Sequence, residues 1–258
     1  MRQLLKRTFL YNLFQQFHFW KWTEDDERRL KFYQQFVKPG DLVFDVGANV
    51  GNRTKVFLKL QAKVVAFEPQ KICADFLEQI LKKNPNFTLV KKALGGKEGE
   101  GKMLLGEISG LSTLSEEWLQ MATESNRFGE HKWKETQSVQ ITTLDKAIFE
   151  FGVPSFIKID VENFELEVLL GLSQSVACIS IEFHAETIQN TIKCIDYVEK
   201  LSPKALFQIS KEAMIFELQS WVSAEEIKQI LFDLVNQEKF AWGDIYIFNS
   251  SISCHTLP

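Results

Sequence analysis

Short apolar runs and amphipathic stretches alternate along most of the chain. Leu42–Val46, Val64–Phe67, Thr88–Val90, Phe156–Ile159, Cys178–Phe183 and Leu206–Ile209 are nearly continuous apolar runs, the pattern of strands covered on both faces. Between several of them apolar residues recur at helical spacing, as in Ile188, Ile192, Ile195 and Tyr197–Val198. Strands alternating with helices predict parallel βαβ units and an α/β fold. A helix is expected to start at Thr23, capped by its hydroxyl, and to stop before Lys38-Pro39-Gly40. Ser223 and Glu226 form a capping-box pattern ahead of Ile227, Ile230, Leu231 and Leu234, and Ile245–Phe248 predicts a last strand.

The alternation breaks between about residues 95 and 140. Gly95-Gly96-Lys97-Glu98-Gly99 reads as a turn, with extra strands at Lys102–Leu105 and Ser138–Thr142. The polar segment between them carries Trp118, Phe128, His131 and Trp133. Such an insertion is either a lid or binding segment, or a cover for a sheet edge.

Composition narrows the class. With 45% hydrophobic residues the 258-residue chain can bury one sizeable core, read as a catalytic domain over 38–258 behind an N-terminal helical appendage over 1–37. The 22 Phe are expected mostly inside that core. A net charge of -4 argues against a nucleic-acid partner. Cys73, Cys178, Cys194 and Cys254 are too scattered for a disulfide framework or a zinc site, which predicts reduced thiols and a cytoplasmic protein. Residues 1–22 hold Arg2, Lys6, Arg7 and Lys21 without an acid, and Leu10, Leu13, Phe14 and Phe17 recur at helical spacing. The favoured reading is a helix packed on the domain or on a second subunit; the other is peripheral contact with an anionic membrane.

Three stretches carry the chemistry. In Val43-Phe44-Asp45-Val46-Gly47-Ala48-Asn49-Val50-Gly51 an apolar strand runs into a glycine-bearing turn, and Asn52–Leu60 then reads as a helix. Gly47 and Gly51 permit a tight turn and close approach of a ligand. The next strand ends at Glu68, where a βαβ unit places a carboxylate beside the ribose hydroxyls of a nucleoside ligand. The dinucleotide fingerprint is incomplete, because Ala48-Asn49 follow Gly47, which disfavours a nicotinamide dehydrogenase. In Phe156-Ile157-Lys158-Ile159-Asp160-Val161-Glu162-Asn163-Phe164-Glu165 a strand ends in acids, so Asp160 and Glu162 should reach the same crevice, with Glu165 on the solvent side of the following helix. In Ile179-Ser180-Ile181-Glu182-Phe183-His184 the last acid and the histidine point to one side of a strand and face that crevice if this strand neighbours the one ending at Asp160.

These stretches, with Phe67-Glu68-Pro69, Thr143-Leu144-Asp145 and Ser109-Gly110-Leu111-Ser112-Thr113-Leu114, resemble the FkbM family of S-adenosylmethionine-dependent methyltransferases over roughly residues 38–250. One departure is Asn163, where the family usually has glycine; asparagine tolerates the left-handed conformation. The resemblance implies a Rossmann-like class I methyltransferase fold, a seven-stranded, mostly parallel sheet with an antiparallel last strand. It implies S-adenosylmethionine as cofactor and O-methylation of a sugar, glycan or secondary metabolite. In this reading Gly47, Ala48, Asn49 and Gly51 embrace the methionine moiety, Glu68 binds the ribose, and Asp45 and Asp160 support the cofactor. His184 is the expected base, with Asp160 the runner-up and Glu182 beside them. A divalent metal on Asp160, Glu182 and His184 ranks second, so no metal is assigned. The alternative is a catalytically silent module that keeps the fold as an interaction platform.

Overall fold

The computed structural model of the protein describes residues 19–106, 109–124, 133–249 and 251–252. The expected helix 1–22 falls almost wholly outside them, as do Phe128, His131 and Cys254. Among the described residues no helix is long and apolar enough to cross a membrane.

A seven-stranded sheet is built from β1 (Leu42–Val46), β2 (Lys63–Phe67), β3 (Phe87–Val90), β7 (Phe156–Ile159), β8 (Cys178–His184), β9 (Ala205–Ser210) and β10 (Trp242–Asn249), in the order β3-β2-β1-β7-β8-β10-β9. All pairings are parallel except those of β10, which runs antiparallel to both β8 and β9. Every strand expected from an apolar run is present. Chain direction reverses its sideways progress between β1 and β7, and open α/β sheets place their ligand crevice at such a switch. The helices α2 (Asn52–Lys59), α3 (Lys71–Leu81), α5 (Leu144–Phe151), α6 (Glu165–Leu170), α7 (Ile188–Leu201) and α8 (Ala224–Gln237) connect the strands.

The first described helix, α1 (Glu24–Tyr33), begins at a full capping box. Thr23 Oγ1 accepts from the Asp26 amide at 3.2 Å, and Asp26 accepts from the Thr23 amide at 2.9 Å. Its far end is no loose appendage. Phe32, Tyr33, Phe36 and Val37 share one buried cluster with Phe57, Phe156 and Tyr246, and Phe36 stacks on both Phe156 and Tyr246. The segment just before residue 38 therefore packs into the core, where Phe32, Phe36, Phe57 and Phe156 account for four of the 22 Phe. Thr23→Ala removes the cap and is expected to cost ~1 kcal/mol, read as a lower midpoint in thermal unfolding with unchanged cofactor binding.

The irregular region forms a second, three-stranded sheet in the order β4-β6-β5, from β4 (Ala93–Leu94), β5 (Gly99–Gly106) and β6 (Trp133–Thr142). The two-residue β4 is too short to leave a sequence pattern. On α4 (Glu116–Glu124), Trp118 is fully buried, and the Trp133 indole donates to the Leu111 carbonyl at 2.7 Å. Trp118 packs against His184 of the main sheet, whereas Trp133 is held within the inserted region itself.

Candidate active site

Four strand ends converge on one cleft. Val46 at the end of β1, Phe67 and Glu68 after β2, Asp160 after β7 and Glu182 near the end of β8 line a cavity of about 250 Å³. The turn after β1 makes one wall. Gly47 has φ +80°, and a Cβ there would lie 1.9 Å from the Asp160 carbonyl oxygen, so only glycine fits. Ala48 and Asn49 line the cleft, Asn49 in a left-handed conformation at φ 50°. Gly51, at φ +82°, is the N-cap of α2 and shapes the turn without lining the cavity. Asp45, buried beneath the loop at the edge of the cleft, accepts from Thr54 Oγ1 at 2.5 Å, a bond that ties the turn to α2.

Glu68 stands beside this turn. Its carboxylate accepts from the Asn49 amide at 2.6 Å and from the Gln70 amide at 2.7 Å. Burial pushes its carboxyl up to about 7 despite those two donors. The segment Ser109–Leu114 closes the cleft from the second sheet. Ser109 Oγ donates to Asn49 Oδ1 at 2.9 Å, and Gln70 donates to Ser112 at 3.2 Å.

The acids after β7 separate into different roles. Burial opposes ionisation of Asp160, but the Lys158 and Arg53 cations outweigh it and hold its carboxyl well below the usual range. Arg53 reaches Asp160 at 2.9 Å, while Lys158, fully buried, lies 3.7 Å from Asp160 and 2.9 Å from Asp244 on β10. Asp160 is thus a fixed anion and a poor proton acceptor, which moves it out of the runner-up position for a base. Glu162 and Asn163 adopt φ 54° and 66°, so asparagine supplies the left-handed turn where the family has glycine. Asn163 is held by Ser115 and Asn190, at 3.2 and 3.1 Å. Glu165 is buried, not on the solvent side: it folds back to accept from the Val161 amide at 3.3 Å, and burial pushes its carboxyl up to about 7.

β7 and β8 are neighbours, as the shared crevice requires. Glu182 lines the cleft; burial and the adjacent Asp160 charge raise its carboxyl. His184 does not line the cleft. It sits behind Glu182, with Nε2 at 3.2 Å from Glu182 Oε2, and its ring lies against Trp118 with centroids 4.6 Å apart. The metal set weighed on Asp160, Glu182 and His184 does not assemble as such, since Asp160 faces Arg53; the carboxylate grouped with Glu182 and His184 is Glu162. Arg53 and the Lys158–Asp244 pair had no local signature, because each acquires its meaning only from a partner far along the chain.

A mostly parallel seven-stranded sheet with this strand order, a glycine turn after its first strand and an acid after its second define a class I methyltransferase fold. Residues 45–234 match the methyltransferase FkbM domain, and the chain belongs to this S-adenosylmethionine-dependent family. It is 30% identical over 152 residues to the hexuronic acid methyltransferase AglP of Haloferax volcanii, a match covering 56% of each protein. The chain therefore aligns with little more than half the length of that relative. Similar solved structures include precorrin-6y C5,15-methyltransferase from Geobacter metallireducens (11% identity, TM-score 0.45, 86% of this chain and 88% of that one). Another is a TehB-like S-adenosylmethionine-dependent methyltransferase from Corynebacterium glutamicum (8% identity, TM-score 0.43, 86% and 88%).

The residues present fit the cofactor. The Gly47–Asn49 turn leaves a groove that a Cβ at Gly47 would disturb, and the Glu68 carboxylate lies beside that turn and lines the same cleft. Arg53 and Asp160, paired with each other at 2.9 Å, line the same cleft.

Proposed function

We propose that the protein transfers the methyl group of S-adenosylmethionine to a hydroxyl of a sugar, glycan or small secondary metabolite. The observation that carries this reading is the Glu68 carboxylate set against the Gly47–Asn49 turn in one cleft whose other end is acidic. The hexuronic acid specificity in the name of the matched relative supports a carbohydrate acceptor.

S-adenosylmethionine supplies an electrophilic methyl group on a sulfonium. Glu68 accepts from the two ribose hydroxyls, using carboxylate lone pairs that the Asn49 and Gln70 amides leave over. The turn over Gly47, Ala48 and Asn49 holds the methionine moiety, with Arg53 toward its carboxylate and Asp160 toward its ammonium. Such fixed orientation is the main contribution to an in-line displacement. The acceptor hydroxyl has to lose a proton, and we assign that end of the cleft to Glu182 backed by His184. Burial disposes Glu182 to take up positive charge or a proton, whereas Asp160 already faces two cations.

Calorimetry with S-adenosylmethionine tests the cofactor half: micromolar-range binding is expected, and its absence would leave the interaction-platform alternative. Comparing glycans and small metabolites of a deletion strain with the parent tests the acceptor half. A single compound lacking one methyl group is expected. With that acceptor, Glu182→Gln should lower turnover by ~100-fold or more while cofactor affinity stays within about a factor of two.

A further inference from the structure

We infer that Gln137, on the second sheet, is a positioning residue for cofactor binding: it fixes the Pro69–Lys71 backbone and so holds the Gln70 amide against the Glu68 carboxylate. The inference rests on the assignment of Glu68 to the ribose. Gln137 does not line the cleft, so its effect on the cofactor passes through the residues it touches.

The Gln137 carboxamide donates to the Pro69 carbonyl at 2.7 Å and accepts from the Lys71 amide at 3.0 Å. A carboxamide carries a donor and an acceptor on one carbon, which suits a C=O and an N–H two residues apart. The two bonds bracket Gln70. Lys71 opens α3, and its N–H is one of the amides that a helix start leaves unpaired. Gln70, the N-cap, gives that helix no side-chain bond. Its own side chain is committed elsewhere, donating to Ser112 Oγ at 3.2 Å and accepting from the Cys73 thiol at 3.2 Å. The start of α3 is therefore capped from the inserted region, by a residue 66 positions further along the chain. Strand geometry puts Gln137 there. It pairs with Met103 of β5 and shares a side of β6 with Val139 and Ile141. Met103 and Val139 belong to one buried cluster with Ile141 packed on it, and Met103 lines the cleft. That apolar face seats the strand that carries Gln137.

The consequence for cofactor binding is electrostatic. Glu68 accepts from the Gln70 amide at 2.7 Å and from the Asn49 amide at 2.6 Å. Such donors favour the ionised carboxylate, the form that ribose hydroxyls select. The titratable groups that interact with Glu68 are Asp45 on β1 and the Cys73 thiol on α3. Lys92, after β3, lines the same cleft, and residues 109–114 bring no titratable group. Freeing the backbone around Gln70 weakens one of the two donors and leaves those other groups as they are.

The test is calorimetric titration of the full-length wild type, Gln137→Met and Ser112→Ala with S-adenosylmethionine, from about pH 6 to about pH 9. In the wild type, affinity is expected to fall below about 7. In Gln137→Met the pH at which that fall begins should rise by ~0.5 unit or more, which makes binding near pH 6 at least ~3-fold weaker than in the wild type. The loss near about pH 9, where Glu68 is ionised in both proteins, should be smaller. A residue that served stability alone would lower the thermal midpoint and leave the pH profile in place. If Gln137→Met does not fold, Ser112→Ala, which releases the Gln70 side chain, decides by the same shift. A sloped wild-type profile that the deciding variant leaves unmoved overturns the role of Gln137 alone. A flat wild-type profile overturns the Glu68 assignment and this inference with it.

Discussion

Glu68→Gln is expected to weaken S-adenosylmethionine binding by ~100-fold and to abolish its dependence on pH. Two effects combine. The carboxylate presents acceptors only, and two backbone amides, of Asn49 and Gln70, already occupy one lone pair on each oxygen. A carboxamide turns one of those oxygens into a donor facing an N–H, and the ribose loses a charged acceptor, each change being worth roughly 1.5–3 kcal/mol. The pH effect follows from burial, which holds the free carboxyl at about 7. Ribose hydroxyls donate to the ionised form, so the cofactor selects it and lowers its pKa. Affinity is therefore full above about 7 and falls as pH drops below it, by up to ~10-fold per unit, with proton release on binding. Calorimetry at several pH values, in two buffers of different ionisation enthalpy, reads both. A flat pH profile in the wild type would refute the assignment of Glu68 to the ribose.

The largest loss of stability is expected from Lys158→Met. The fully buried ammonium lies 2.9 Å from Asp244 and 3.7 Å from Asp160, bridging β7 to β10 across the intervening β8. Desolvation alone would favour neutral lysine, yet the two carboxylates outweigh it and hold the group charged. Removing the cation leaves those anions without it, a change that costs ~3–5 kcal/mol where one partner of a buried pair is deleted. At ~2–4 °C per kcal/mol for a chain of this size, the thermal midpoint should fall by roughly 6–20 °C. Adding Asp244→Asn to Lys158→Met should recover part of the loss, because the unmatched charge goes too. If the double substitution is as damaging as the sum of the two singles, the pair is not coupled.

Residues whose environment is set locally were legible in the sequence. An unbroken apolar run signals a doubly covered strand, and a glycine turn followed by an acid one βαβ unit later signals a nucleoside site, so β1, β2, Gly47 and Glu68 could be placed from pattern alone. The capping boxes at Thr23 and Ser223 likewise depend on a residue and its third neighbour. Residues whose environment is made by distant segments were not. Glu165 has the pattern of an exposed first-turn acid, and only the short arc from Val161 folding back turns it inward. His184 lies outside the cleft with its ring against Trp118, 66 positions earlier in the chain. Asp160 loses basicity to Lys158 and also to Arg53, whose own position in α2 looks like any helix-surface cation. The β4 strand pairs with β6 across an insertion, a contact without local periodicity.

The placement of β10 has a bearing on biosynthesis. This strand is the last of the sheet to be made, yet it lies between β8 and β9 and supplies Asp244 to Lys158. While the chain is still emerging from a ribosome, β8 and β9 have no common neighbour and Lys158 lacks its closest anion. The amino-terminal strands can pair early, but the half of the sheet that carries Glu182 closes only after translation has passed residue 249. Nascent chains halted before Trp242 are therefore expected to remain sensitive to protease around β8 and β9, making the carboxyl-terminal strand the step that commits the protein to its native form.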